Sequence, residues 1–231
     1  SGARVPLAMV KQQEYLLSSL VGNINGATGR FVMHLSMKII ANLSEHSQNK
    51  QVMFAFPSLL ESIAVGTTHM YEAVREESAR IIMNLALETK NKTHLIQGNR
   101  QYWMDAVLAL ARGSSASKAH AYAIQTLGYL ASIPENKIIM VQHDNGVVID
   151  ALLRVAPSRI PQSLSITATR ILGSLTCQAT ASQIGRHPGL LVTLSSLACR
   201  HDKLAVAAAM TVKKIATYVR SSDHCHKYLL Q

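Results

Sequence analysis

The stretch MKIIANLSEHSQNK, Met37 to Lys50, is written again 42 residues later as ARIIMNLALETKNK, Ala79 to Lys92. Ile39, Ile40, Asn42, Leu43, Asn49 and Lys50 return as Ile81, Ile82, Asn84, Leu85, Asn91 and Lys92, and Lys38 returns as Arg80. Weaker copies follow in IQTLGYLASIPENK, TRILGSLTCQAT and TVKKIATYV. They keep Leu127 with Leu130, Leu172 with Leu175, and Val212 with Ile215, at steps of 40 to 45 residues. No other feature constrains the fold as much. A unit of this length cannot bury its own apolar face, so successive units must stack on one another.

A second phrase lies between the copies: FPSLLESIAV, QYWMDAVLALA, NGVVIDALLRVA and PGLLVTLSSLAC. Each starts near Gly, Pro or a polar cluster and then places apolar residues at helical spacing. A shorter phrase, such as NKTHLI or NKIIMV, precedes it. Each unit therefore reads as a short, a middle and a long helix. The long helices are expected near 31–44, 72–87, 117–131, 162–177 and 203–219. Residues 9–21 form an amphipathic helix suited to capping the array, and HKYLLQ near the end sits where a unit would restart. No run alternates at the period of a β-strand. The chain divides into 1–30, an N-terminal cap or partial repeat; 31–220, the repeats; and 221–231, a C-terminal cap or truncated repeat.

Period, three-helix grammar and the recurrent NL(A/S)…NK phrase resemble the armadillo repeat over about residues 31–220. The fold class expected is all-α, a right-handed α-solenoid of about five three-helix repeats, with two-helix HEAT-like units as the alternative. The resemblance implies a non-catalytic scaffold or adaptor whose long helices line a concave groove that holds an extended peptide. In the family's nuclear import adaptors, a Trp and an Asn four residues later form a ladder along that groove. Lys38, Arg80, Gln125 and Arg170 fall at the Trp position here, and Asn42, Asn84, Tyr129 and Ser174 at the Asn position. Only Asn42 and Asn84 match. Trp103, the single Trp, lies on a middle helix and reads as a core anchor.

Spacing supports the same row. Residues four apart share a helix face, so Lys38 with Asn42 and Arg80 with Asn84 lie together, away from the inward Ile39, Ile40 and Leu43. Asn can bond a peptide backbone as donor and acceptor, and Lys and Arg can pair with carboxylate or phosphate. Cations where the family has Trp would repel a basic signal, so the expected partner is an extended acidic or phosphorylated segment, much as in catenin-type members. The charge agrees. The chain carries 23 Lys and Arg against 13 Asp and Glu, net +10. Up to Ser115 the excess is +3, and beyond it +7. A dispersed basic surface also allows nucleic acid, though without evident stacking aromatics. The third alternative is a regulatory domain of a larger signalling or trafficking protein.

Other chemistry is not indicated. Phosphate-binding Gly loops, HExxH and GxSxG are absent, so no enzyme, catalytic residue, cofactor or metal is expected. His224, Cys225 and His226 lack a second ligand cluster. His143 and His187 occupy equivalent connections and read as surface or turn residues. Asn42-Leu-Ser44 and Asn91-Lys-Thr93 match the glycosylation pattern inside structural phrases. The three cysteines are widely spaced, and Cys177 and Cys199 sit among apolar neighbours that suggest burial. No apolar run reaches the ~20 residues of a membrane span. With no export signal, cytoplasm, extending to nucleus, is the default location.

Overall fold

The computed structural model describes residues 7–26, 29–97, 102–114, 116–157 and 161–229, with side chains described between residues 14 and 220 of these. Among them every regular element is helical. The N-terminal helix α1 spans Leu7–Asn25 and α2 spans Arg30–Glu45. Four units of short, middle and long helix follow. They are α3 Ser47–Phe54, α4 Pro57–Gly66 and α5 Glu72–Leu87; then α6 Thr89–His94, α7 Tyr102–Ala111 and α8 Lys118–Leu130. Next come α9 Pro134–Gln142, α10 Val147–Val155 and α11 Gln162–Leu175; then α12 Ala181–Gly185, α13 Leu190–Ala198 and α14 Lys203–Leu229. The expected long helices are all present, with ends within two residues except at the C-terminus of α14. Its backbone runs on as helix through 221–229.

The short helix is a separate element in every unit, which decides for the three-helix grammar over the two-helix one. A single extended residue breaks the chain between long and short helix: His46 (ψ 124°), Glu88 (ψ 121°) and Thr176 (ψ 116°) after α2, α5 and α11. Middle helices start in ways local chemistry favours. Pro57 opens α4, where its missing N–H is not needed. Left-handed Gly146 (φ 96°) and Gly189 (φ 74°) turn the chain into α10 and α13. The α14 N-terminus is capped by Asp202, whose carboxylate accepts from the N–H groups of Leu204 and Ala205 at 3.0 Å each.

The long helices stack in the order α2, α5, α8, α11, α14, and α1, α4, α7 and α10 form a second layer beside them. The core is one continuous apolar row between these layers, from Leu17 to Ile215. Trp103 is buried in it, as expected. Ile40, Ile81, Ile82 and Leu85 point inward, also as expected. Ile39 does not. It is 45% exposed, whereas its counterpart Ile81 is 0% exposed. The reason is position in the stack: α5 lies between α2 and α8, while α2 has a neighbouring long helix on one side only. Leu43 is half-buried for the same reason.

Candidate functional site

The recurrent Asn of the NK phrase is the part of the repeat that builds the scaffold. Near the ends of α2, α5 and α8 a leucine carbonyl accepts only a long backbone N–H from three residues on, from His46 (3.3 Å), Glu88 (3.3 Å) and Ile133 (3.2 Å). Asn49 donates to Leu43 O at 2.9 Å, Asn91 to Leu85 O at 3.2 Å and Asn136 to Leu130 O at 3.1 Å. The same carboxamides reach back across the unit boundary, Asn91 to Lys50 O (3.4 Å) and Asn136 to Lys92 O (3.1 Å). In the fourth unit the Thr180 hydroxyl replaces Asn and donates to Leu175 O at 2.6 Å. The spacing of these Asn residues, six after the leucine each one bonds, was legible in the sequence; its bonding was not.

The eight ladder residues lie on successive long helices, in different environments. Lys38 and Asn42 are exposed on α2, Gln125 on α8 and Arg170 on α11; Tyr129 and Ser174 are half-buried. Arg80 is not free for a ligand. Its guanidinium holds Glu77 (2.8 Å), Glu45 (3.0 Å) and the Asn42 carbonyl (2.9 Å). Asn84 does not share the exposed face expected for it. It is 5% exposed and donates to the Ser44 hydroxyl at 2.9 Å, inside the α2–α5 junction. On α2, which carries no long helix on that side, the same place leaves Asn42 in solvent. Ser174 donates to Ala131 O at 3.2 Å across the next boundary.

A row continued by 40 residues from Arg170 and Ser174 meets Met210 and Lys214 on α14. Sequence reasoning stopped one helix short of this pair, although the same step links Leu172 to Val212. Lys214 donates to Gly173 O at 2.7 Å. Burial, with the nearby charge of Lys137, holds its ammonium below the ordinary lysine range. A recess between α11 and α14 is lined by Arg170, Ser174, Lys203, Met210, Thr211 and Lys214. No carboxylate lies in ion-pair range of Arg170, Lys203 or Lys214 among the described residues. Cys177 stands beside it. Burial pushes its thiol up, but hydrogen bonds from Thr180 and Ala179 and the charge of Lys137 outweigh this and leave it below the ordinary value.

The remaining candidates resolve as follows. Cys177 is half-buried and Cys199 exposed, so neither is the buried residue expected. Both sit at or just after helix ends, where apolar neighbours in sequence point elsewhere. His143 and His187 are largely buried and lean on the preceding middle helix, His143 on Asp105 at 2.9 Å and His187 on Asp150 at 3.5 Å. Asp144 joins the first pair, so three ligand-type atoms lie within 4.8 Å. Two of the three residues are exposed carboxylates, and the His143–Asp105 hydrogen bond accounts for the approach. The side chains of His224, Cys225 and His226 lie outside the described residues. No described helix is long and apolar enough to cross a membrane.

A scan against protein-family models finds no match, and a search of curated proteins finds none. Solved structures do match. A computationally designed armadillo repeat protein for modular peptide recognition is 14% identical, covers 88% of this chain and 86% of its own, and superposes with a TM-score of 0.70. An engineered protein solved by a structural genomics consortium is 18% identical, covers 89% and 84%, and has a TM-score of 0.67. Identity at this level speaks for the backbone alone, and the backbone is unambiguous: three-helix units, stacked long helices and nearly full mutual coverage give this chain the armadillo repeat fold.

Proposed function

We propose that the chain is a non-catalytic scaffold that holds an extended acidic or phosphorylated segment of a partner protein along its long helices, centred on α11 and α14. One observation carries this: Arg170, Lys203 and Lys214 surround a single recess with no carboxylate among the described residues to neutralise them. A cation left without a partner in a half-buried site attracts an anion more strongly than one already paired. The N-terminal half of the row differs, because Arg80 is neutralised by two glutamates. The segment therefore seats its charges against Arg170 and Lys214, with Lys137 beside them, and its backbone against Gln125, Tyr129 and Ser174. That the designed structural neighbour was made for peptide recognition agrees with this reading. Lys38, Asn42, Arg80 and Asn84 remain part of the row at its N-terminal end, where Arg80 is paired and Asn84 buried while Lys38 stays exposed.

The test is fluorescence anisotropy with a labelled acidic peptide, its phosphorylated form, and an RNA oligonucleotide of equal charge as competitor. Each exposed ion pair is worth about 0–1 kcal/mol. Reversing two cations, Arg170→Glu with Lys214→Glu, should therefore weaken peptide binding at least about tenfold, which is about 1.4 kcal/mol. Arg80→Gln should change it less than about twofold. Equal binding by wild type and the double variant would sink the proposal. Displacement of the peptide by RNA at lower concentration would favour the nucleic-acid alternative.

A further inference from the structure

The Asn of the NK phrase builds the scaffold; its Lys has a different reach. The Lys92 ammonium donates to the Ser132 hydroxyl, just past α8, at 3.2 Å. Lys137 and Cys177 stand 45 residues after Lys92 and Ser132, so the same reach carries Lys137 of α9 towards Cys177, just past α11. The charges agree with this placement. Burial pushes the Cys177 thiol up, and hydrogen bonds from Thr180 and Ala179, with the charge of Lys137, bring it below its ordinary value. Burial lowers the Lys214 ammonium, Lys137 lowers it further, and the Cys177 thiol opposes both. Lys137 and Lys214, both half-buried, thus converge on the C-terminal end of α11.

No acid compensates this corner. Lys137, Arg170, Lys203 and Lys214 make no ion pair among the described residues. Asp202, next to Lys203, is occupied: besides the two N–H groups it caps, its carboxylate accepts from Gln162 and Arg200 at 3.1 Å each. Glu135 leaves α9 about 200° round the axis from Lys137. The hydroxyls of the recess are spent as well, Ser174 on Ala131 O at 3.2 Å and Thr211 on Ala207 O at 2.9 Å. What the recess offers outward is the N–H groups of cations. Lys214 places one on Gly173 O at 2.7 Å and keeps the others. A ligand that answers this accepts through several oxygens, donates nothing and carries more than one negative charge. A carboxylate brings two oxygens and one charge; a phosphate monoester brings three terminal oxygens and about −1.5 to −2 charge at pH 7.

Building on α11 and α14 as the seat of the segment, we propose that this corner selects phosphate: the partner segment places a phosphorylated side chain here, and Lys137 acting with Lys214 separates it from a glutamate. Two cations held near each other repel. One carboxylate leaves part of that repulsion standing, whereas a dianion compensates both. Arg170 and Lys203 are exposed and attract either anion.

Degenerate peptide pools, identical except for a fixed central phosphoserine, glutamate or serine, are the probes, read by fluorescence anisotropy at one salt concentration. Wild type should bind the phosphoserine pool at least about tenfold more tightly than the glutamate pool at pH 7.5. Lys137→Gln should cut that ratio below about threefold and change glutamate binding less than about twofold, while Lys137→Arg should keep the ratio. Helical circular dichroism should be the same in all three proteins. Lowering the pH from about 7.5 to about 5.5 should shrink the advantage, because phosphate takes up a proton near pH 6 and glutamate does not. Equal binding of the two pools by wild type, with both lost in the Arg170→Glu, Lys214→Glu double variant, overturns phosphate selection and leaves the scaffold function standing. A ratio that survives Lys137→Gln overturns the role of the lysine pair. Failure of wild type to bind either pool overturns both selection and scaffold. Displacement of the phosphoserine pool by an RNA oligonucleotide at lower concentration overturns the phosphorylated segment in favour of nucleic acid.

Discussion

Single side chains hold the units together, and their loss has distinct signatures. Asn136 is fully buried and donates to two carbonyls of the preceding unit, Leu130 O and Lys92 O. Asn136→Ala removes both donations, leaving Leu130 O only the Ile133 N–H at 3.2 Å, and should cost about 1–3 kcal/mol in urea unfolding. Asn136→Asp should cost more, since an ionised carboxylate cannot donate and would face two oxygens. His120 on α8 is a second pressure point. It is buried with neither ring nitrogen hydrogen-bonded. Burial lowers its pKa below the ordinary 6.5, against the weaker pull of the Leu110 and Ala111 carbonyls. The unfolded chain therefore binds a proton here at a higher pH than the folded chain does. The stability tied to neutral His120 is present above about pH 6.5 and is lost as pH falls below it. His120→Leu should flatten the fall in thermal midpoint between pH 7.5 and pH 5 relative to wild type. An unchanged slope would mean that another group sets the acid limb.

At the scale of elements, the close approach of helices depends on a few glycines. Gly66 ends α4 where Ser78 of α5 and Met37 of α2 meet, and a Cβ there would collide with the Ser78 side chain. Gly66→Ala should destabilise by about 1–3 kcal/mol through overpacking, and adding Ser78→Ala should restore part of the loss. Gly22, within α1, has nothing within 4 Å of an added Cβ. Gly22→Ala should therefore stabilise by about 0.5–1 kcal/mol, from helix propensity alone. Thermal unfolding of the two variants side by side separates packing from propensity.

The whole molecule carries its charge unevenly, and its binding should respond to salt accordingly. Binding of an acidic segment at α11 and α14 rests on attraction and should weaken as ionic strength rises, since a Debye length of about 10 Å at 0.1 M shortens to about 3 Å at 1 M. Anisotropy of one preparation at low and high salt reads this, and an affinity that does not change with salt would overturn the electrostatic reading.

The fold was legible in the sequence because it is written several times. The inward Ile and Leu positions, the long-helix boundaries and the NK phrase each recur at a fixed step, and stacking forces every copy to bury the same face. The candidate site was legible only in outline. Spacing places Lys38, Arg80, Gln125 and Arg170 in a row, but spacing says nothing of what lies beside each one. Glu77 reaches Arg80 from three residues back on the same helix, but only the tertiary structure brings Glu45 onto it, buries Asn84 against Ser44, and leaves Arg170 and Lys214 without a carboxylate among the described residues. The same holds for Ile39 and Ile81, one identity in one phrase with opposite exposure. Periodicity is a local property that each unit satisfies alone; charge compensation and burial depend on neighbours 35 to 45 residues away, which only the stacked array supplies.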